Sequence, residues 1–147
     1  MSVLCLPAAD SADELAAQLL VRVLLPAEFS AEVLGVATLK GEMLEHVAQS
    51  RPDVIFISAM PPAALIHARY LCKKLRSEFT EVPIVVGMWD AQGDLQKATE
   101  RLAAVGASKV VNSAVGVVEE LSRLRQPLVQ GVRSKPAEPA FVGQASA

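Results

Sequence analysis

The sequence predicts an α/β fold of the (βα)₅ type, in which five parallel strands form an open sheet between two layers of helices. Five short runs of aliphatic and β-branched residues are almost continuously apolar, which is typical of strands buried on both faces. The segments between these runs carry apolar residues at helical spacing instead. With right-handed crossovers, we expect the strand order 2-1-3-4-5, the commonest arrangement for this number of strands.

The predicted strands comprise residues 2–6, 32–36, 53–57, 83–87 and 109–111. Each is followed by a segment in which apolar residues recur every three or four positions, as on one face of a helix. These predicted apolar stripes are Leu15, Leu19 and Val23; Leu44, Val47 and Ala48; Leu65, Ala68, Cys72, Leu75 and Phe79; Leu95, Ala98, Leu102 and Val105; and Val117, Leu121 and Leu124.

Capping signals agree with these helices. Asp10 or Ser11 can cap the first helix, and Asp13 lies in its first turn. Gly106 stands where the fourth helix should end, and Ser113 can cap the fifth. From position 126 the composition shifts to proline, glycine and small residues. We therefore expect an α/β domain over residues 1–125 and a flexible tail over residues 126–147.

Composition excludes several classes of protein. The 147 residues carry a net charge of −2, so we expect no nucleic-acid partner. The longest uncharged stretch, residues 54–68, is shorter than the roughly 20 residues that a membrane span needs, so no direct insertion is expected. Two cysteines do not make a disulfide framework, and Cys5 and Cys72 are typical of buried thiols in a reducing compartment. Without a signal-peptide pattern, we expect a cytoplasmic location.

A ligand site in such a sheet lies beyond the carboxyl ends of strands 1, 3 and 4. Asp10, Asp13, Ser58, Trp89 and Asp90 could all reach one crevice there. Simpler roles remain open for each. Asp10 and Ser58 can serve as caps, and Trp89 can cover the sheet edge or contact a partner.

Several catalytic motifs are missing from the sequence. It contains no glycine-rich phosphate loop and no nucleophile elbow. His46 and His67 lack metal-ligand spacing, so no metal site is expected. A phosphorelay receiver would need an aspartate at the end of strand 3, where this chain has Ser58. We therefore expect neither an enzyme nor a phosphoacceptor.

The third helix carries a ridge of basic residues. Its members are His67, Arg69, Lys73, Lys74 and Arg76. Such a ridge is either a solvated face or a surface for an acidic partner or an anion. Arg69, Lys73 and Arg76 are the candidate partner residues.

Three loop sequences resemble those of the cobalamin-binding domain, a five-stranded Rossmann-like, flavodoxin-like module. That family carries Asp-x-His-x-x-Gly, then Ser-x-Leu, then Gly-Gly after strands 1, 3 and 4. The matching segments are Asp10-Ser-Ala12-Asp-Glu-Leu15, Ser58-Ala-Met60 and Gly87-Met88. The intervals match as well, with 42 residues between the first two segments and 26 between the last two. The resemblance covers residues 2 to about 124.

The chain departs from that family where the cofactor is held. Ala12 replaces the cobalt-ligating histidine, and Leu15 replaces the glycine that makes room for the nucleotide tail. A methyl group supplies no lone pair to a metal. The resemblance thus implies a degenerate ligand crevice without a resident cofactor. Its residues are Asp10, Ala12, Leu15, Ser58, Met60, Gly87 and Trp89.

Residues 57–71 and 85–89 are similar to the soluble cytoplasmic domain attached to some bacterial predicted permeases of the autoinducer-exporter class. This resemblance implies a non-catalytic regulatory or interaction module beside a transporter or regulator. An alternative is a cobalamin carrier or photosensor that binds without histidine ligation. A third hypothesis is a small enzyme such as a mutase subunit, which would need a partner chain that supplies the catalytic barrel.

An aliphatic outer stripe such as Val117 and Val118 would permit the chain to form a homodimer.

Overall fold

A computed structural model describes residues 1–39, 41–89 and 95–137. Its five strands form one parallel sheet in the order β2-β1-β3-β4-β5, which confirms the predicted fold class and strand order. The strands are β1 Ser2–Pro7, β2 Ser30–Val33, β3 Val54–Ala59, β4 Ile84–Met88 and β5 Lys109–Val111. Every residue of β3 and β4 is buried, as expected for central strands covered on both faces.

Six helices surround the sheet in the described part of the chain. They are α1 Ser11–Leu24, α2 Val36–Leu39, α3 Met43–Ser50, α4 Ala64–Glu78, α5 Leu95–Ala103 and α6 Ala114–Ala137. One apolar cluster packs α3, α4 and α5 on one face of the sheet, and a second packs α1 and α6 on the other. The described helices contain no segment with the length and apolarity needed to cross a membrane.

The second strand lies earlier than predicted, at Ser30–Val33 instead of residues 32–36. Its pairing with β1 ends at Val33, which lies opposite Cys5. Val36 instead begins the short helix α2, and its N–H donates to Glu14 Oε1 at 2.9 Å. This contact between the loop after β2 and helix α1 spans 22 positions, and periodicity gave no sign of it.

The predicted core stripe of α1 was wrong. Leu15 and Leu19 are each 58% exposed and Val23 is 44% exposed. The face against the sheet consists of Ala17, Leu20 and Leu24. Helix α1 is apolar on two sides, and only one of them can pack against the sheet. The other side remains at the surface, where it forms part of the site described below.

Arg76 holds the end of α4 to the turn that precedes β5. Its guanidinium donates to the Gly106 carbonyl at 2.7 and 3.2 Å and to the Phe79 carbonyl at 2.9 Å. Gly106 has φ +107°, a backbone conformation that favours glycine. A Cβ there would also lie 2.7 Å from the Arg76 side chain.

Helix α6 packs on the sheet and is then held by Arg125. That guanidinium lies 4.4 Å from the centre of the Phe29 ring and donates to the Ala27 carbonyl at 3.2 Å. Val117 is buried in the core, so it is not on an outer stripe for pairing as predicted. The helical backbone continues past position 126 to Ala137. The division into a domain and a tail stays a prediction, and residues 138–147 lie outside the described residues.

Candidate functional site

The buried carboxylate of Asp13 joins two of the loops at the carboxyl edge of the sheet. Asp13 is only 2% exposed. Its Oδ2 accepts from the N–H groups of Ala9 and Asp10 at 2.8 and 3.0 Å, and its Oδ1 accepts from Met60 N–H at 2.6 Å. The β1–α1 loop is thereby fixed to the β3–α4 loop. The sequence indicated a first-turn carboxylate but not its bond to a residue 47 positions away.

Asp10 serves as the N-cap of α1. Its Oδ1 accepts from Ala12 N–H at 3.1 Å and from Asp13 N–H at 3.2 Å. Together with the reciprocal bond from Asp10 N–H to Asp13 Oδ2, this forms a capping box. Asp10 was a candidate ligand residue, and the structure gives it a capping role at the helix N-terminus.

The Trp89 indole covers the crevice between β3 and β4. Its Nε1–H donates to Ser58 Oγ at 2.7 Å, and Ser58 is fully buried. The indole ring also packs against Phe56, with ring centroids 5.8 Å apart. Ser58 therefore lies beneath the indole and uses its hydroxyl to hold that ring.

Gly87 faces Ser58 across the β3–β4 pair and makes room for both aromatic rings. A Cβ on Gly87 would lie 2.5 Å from Phe56 Cζ and 2.9 Å from Trp89 Cζ2. Real Cβ atoms do not approach other atoms so closely. Glycine at this position is required by the packing of the indole and phenyl rings.

An open groove of about 420 Å³ remains beside the indole, hereafter the α1 groove. It runs along the exposed side of α1 and reaches the first residue of α6. It is lined by apolar side chains alone: Ala12, Leu15, Ala16, Leu19, Leu20, Val23, Met60, Trp89 and Ala114.

The α1 groove brings together only part of the predicted crevice. Ala12, Leu15, Met60 and Trp89 line it, whereas Asp10, Ser58 and Gly87 do not. Leu19 and Val23 were predicted as part of the apolar stripe of α1 and were missed as site residues. Ala114 was missed because no local pattern shows which residue of α6 approaches α1. Asp90, another candidate, lies outside the described residues.

The residues present do not fit cobalamin. Ala12 offers no donor atom to cobalt, and Leu15 occupies the position at which the cobalamin-binding family has glycine. Ser58 and Gly87, the retained residues of the other two loops, are covered by Trp89. Within the described residues, no three His, Cys, Asp or Glu side chains are grouped to hold a metal ion.

Neither cysteine is poised as a nucleophile. Burial raises the pKa of Cys5 to about 12. Burial raises the pKa of Cys72 to about 11, and the nearby Arg76 charge offsets this only in part. The thiolate is the reactive form, so both side chains remain protonated near neutral pH.

The basic residues of α4 have different surroundings in the structure. Arg76 is tied to backbone carbonyls, and its role as a partner residue stays a prediction. Arg69 and Lys73 are exposed and line a recess between α4 and α5. Arg101 of α5 lines the same recess, although the sequence analysis did not single it out.

The Asp13 link predicts a large stability loss in Asp13→Ala. The change removes the acceptor of the Ala9, Asp10 and Met60 N–H groups, so the free energy of unfolding should fall by about 3 kcal/mol. Urea denaturation measures the change. Glu119→Ala, at an exposed helical position, is the control and should change stability by less than about 0.5 kcal/mol. An Asp13 variant as stable as this control would contradict the assigned role.

The packing of the indole predicts a spectroscopic change in Gly87→Ala. The added methyl must displace Phe56 or Trp89, so stability should fall by about 1–3 kcal/mol. Trp89 is the single tryptophan, and its emission should shift to longer wavelength as the indole becomes hydrated. Gly41→Ala, where nothing lies within 4 Å of the added Cβ, is the matched control. Unchanged emission and stability in Gly87→Ala would show that the ring does not occupy this position.

Comparisons with known proteins support the fold. No protein-family model matches the chain, and no curated protein matches it. Among solved structures, a cobalamin-binding protein from Desulfitobacterium hafniense DCB-2 is similar over 84% of this chain, with a TM-score of 0.67 and 16% identity. This chain spans 58% of that protein.

Two further solved structures are similar as well. A CheY-like protein (tadZ) from Pseudomonas aeruginosa PAO1 matches with a TM-score of 0.59 and 19% identity, over 84% of this chain and 94% of that one. NtrX from Brucella abortus matches with a TM-score of 0.61 and 14% identity, over 92% of this chain and 30% of that one. The chain therefore has the flavodoxin-like, Rossmann-like fold that cobalamin-binding and receiver-type proteins share.

Proposed function

We propose that this chain is a non-catalytic regulatory domain that binds a small apolar molecule in the α1 groove and does not bind cobalamin. The observation that carries the proposal is the position of Trp89. Its indole fills the crevice over Ser58 and Gly87 and forms one wall of an adjoining apolar groove.

The lining of the α1 groove supports an apolar ligand. Its side chains carry no charge, and the one polar atom among them, the indole N–H, already donates to Ser58. A polar ligand would lose water there without gaining hydrogen bonds from these side chains. An apolar ligand gains about 25 cal/mol for each Å² that it removes from water. The groove volume of about 420 Å³ falls within the roughly 300–1,000 Å³ of small-molecule sites.

The position of the groove supports regulation. A molecule seated there touches the exposed side of α1, Met60 in the β3–α4 loop, Trp89 after β4 and Ala114 at the start of α6. Four separate elements thus meet at one ligand. Binding shifts a conformational equilibrium only when it favours one arrangement of such elements over another. Contact with the start of α6 would pass that preference to a helix that extends to Ala137.

The proposal contains no chemical step. The groove lining offers no acid, base or nucleophile, and both thiols are buried and protonated. Phosphotransfer is not proposed either. The residue at the receiver phosphoacceptor position is Ser58, whose hydroxyl is buried and bonded to the indole.

The resemblance to permease-attached domains leads us to propose that this domain lies in the cytoplasm and that its partner is a transporter or a regulator. Similarity in fold to receiver-type proteins is consistent with a role in protein interaction. The exposed side of α1 is a candidate for homodimer contact when no ligand occupies it.

The α1 groove should bind N-phenyl-1-naphthylamine, an uncharged apolar fluorophore. Bound probe lies beside the single tryptophan, so it should quench Trp89 emission through energy transfer. Leu19→Glu places a charge in the groove and should weaken binding about tenfold or more. Leu25→Glu is the matched control, because Leu25 caps the C-terminus of the same helix and is 56% exposed but does not line the groove. Absence of probe binding, or equal loss in both variants, would refute the proposed site.

A further inference from the structure

We infer that α4 and α5 form a docking surface for an acidic segment of a partner protein. The surface consists of Ile66, Arg69, Tyr70 and Lys73 on α4 and Arg101 on α5, hereafter the α4–α5 surface. It lies on the opposite face of the sheet from the α1 groove, since the two helix layers pack in separate clusters. It therefore stands independently of the ligand proposed above.

A concave recess of about 290 Å³ separates the two helices at this surface. Leu65 and Val105, both half-buried, are part of its apolar lining. The α4 residues at positions 66, 69, 70 and 73 are spaced to lie on one helical face, so they border the recess together. The recess can receive a side chain from a partner.

Two large apolar side chains stand at this recess without cover. Ile66 is 69% exposed and Tyr70 is 66% exposed. Single exposed hydrophobic residues are ordinary, but these two lie one helical turn apart beside a concavity. Aromatic residues such as tyrosine are enriched at the cores of protein interfaces. The pair provides the apolar contact that a bound segment needs.

The charge around the recess has one sign. Arg69, Lys73 and Arg101 line it, and no acidic residue does. Within residues 1–39, 41–89 and 95–137, the ion pair Arg123–Glu120 and the His46–Glu32 contact, which is ionic only if His46 is protonated, do not involve these three cations. A cluster of cations within a chain of net charge −2 attracts carboxylates locally.

These features favour an acidic peptide segment over other occupants. Two copies paired through this surface by a two-fold axis would bring the same cations together. An anionic bilayer would attract the three cations but would not fill a recess between helices. A chain segment with carboxylates around one apolar side chain satisfies both the charge and the concavity.

Selection from a displayed library of random short peptides tests the inference. The full chain serves as bait, with counter-selection against the triple variant Arg69→Ala/Lys73→Ala/Arg101→Ala. Selected peptides should be enriched in Asp and Glu around an aromatic or aliphatic residue. Their dissociation constants, measured by fluorescence anisotropy, should rise about tenfold or more in the triple variant and in Tyr70→Ser.

The control is Lys74→Ala, which removes the same charge from an exposed α4 position that does not line the recess. It should change affinity less than about twofold. Failure to select peptides, selection of basic or neutral sequences, or equal losses in Lys74→Ala and the triple variant would overturn the inference. Binding only to phosphatidylserine vesicles, lost in the triple variant, would assign the surface to a membrane instead.

Discussion

The hydrogen bond from the Trp89 indole to Ser58 Oγ, 2.7 Å long, determines what the carboxyl edge of this sheet can hold. It places a large ring over the carboxyl ends of β3 and β4, next to the β1–β3 pair at which strand order reverses and where open α/β sheets usually bind ligands. Gly87 is needed because any side chain there would collide with that ring and with Phe56. Two residues that a cofactor domain would offer to its ligand are thus used to hold a tryptophan.

As a consequence, the candidate ligand site lies beside the crevice over Ser58 and Gly87 and not within it. Beside the filled crevice, an apolar groove lies along the outer side of α1, where Leu15 and Leu19 remain exposed. The Asp13 carboxylate keeps the loops beside this groove in place through its bonds to Ala9, Asp10 and Met60. The groove joins an apolar surface to the start of α6, while the basic recess lies on the other layer of helices. The proposed ligand site and the proposed partner surface therefore lie in different helix layers.

Sequence reasoning predicted the parts that depend on local pattern. The continuous apolarity of β3 and β4 and the capping role of Asp10 could be predicted because neighbours along the chain determine them. The buried face of α1 could not, because that helix is apolar on two sides and only packing chooses between Leu20 and Leu19. The bond between Trp89 and Ser58 spans 31 positions, and no periodicity encodes such a contact.

The most direct test of a filled crevice is cobalamin retention after desalting. The purified chain and its Ala12→His/Leu15→Gly variant are each mixed with hydroxocobalamin and passed over a desalting column. The variant restores the two loop residues of the cofactor family and leaves Trp89 and Ser58, which are bonded in this chain, unsubstituted. We predict that both proteins elute without visible cobalamin absorbance. A coloured peak from either protein would show that the indole does not close the crevice and would contradict the account.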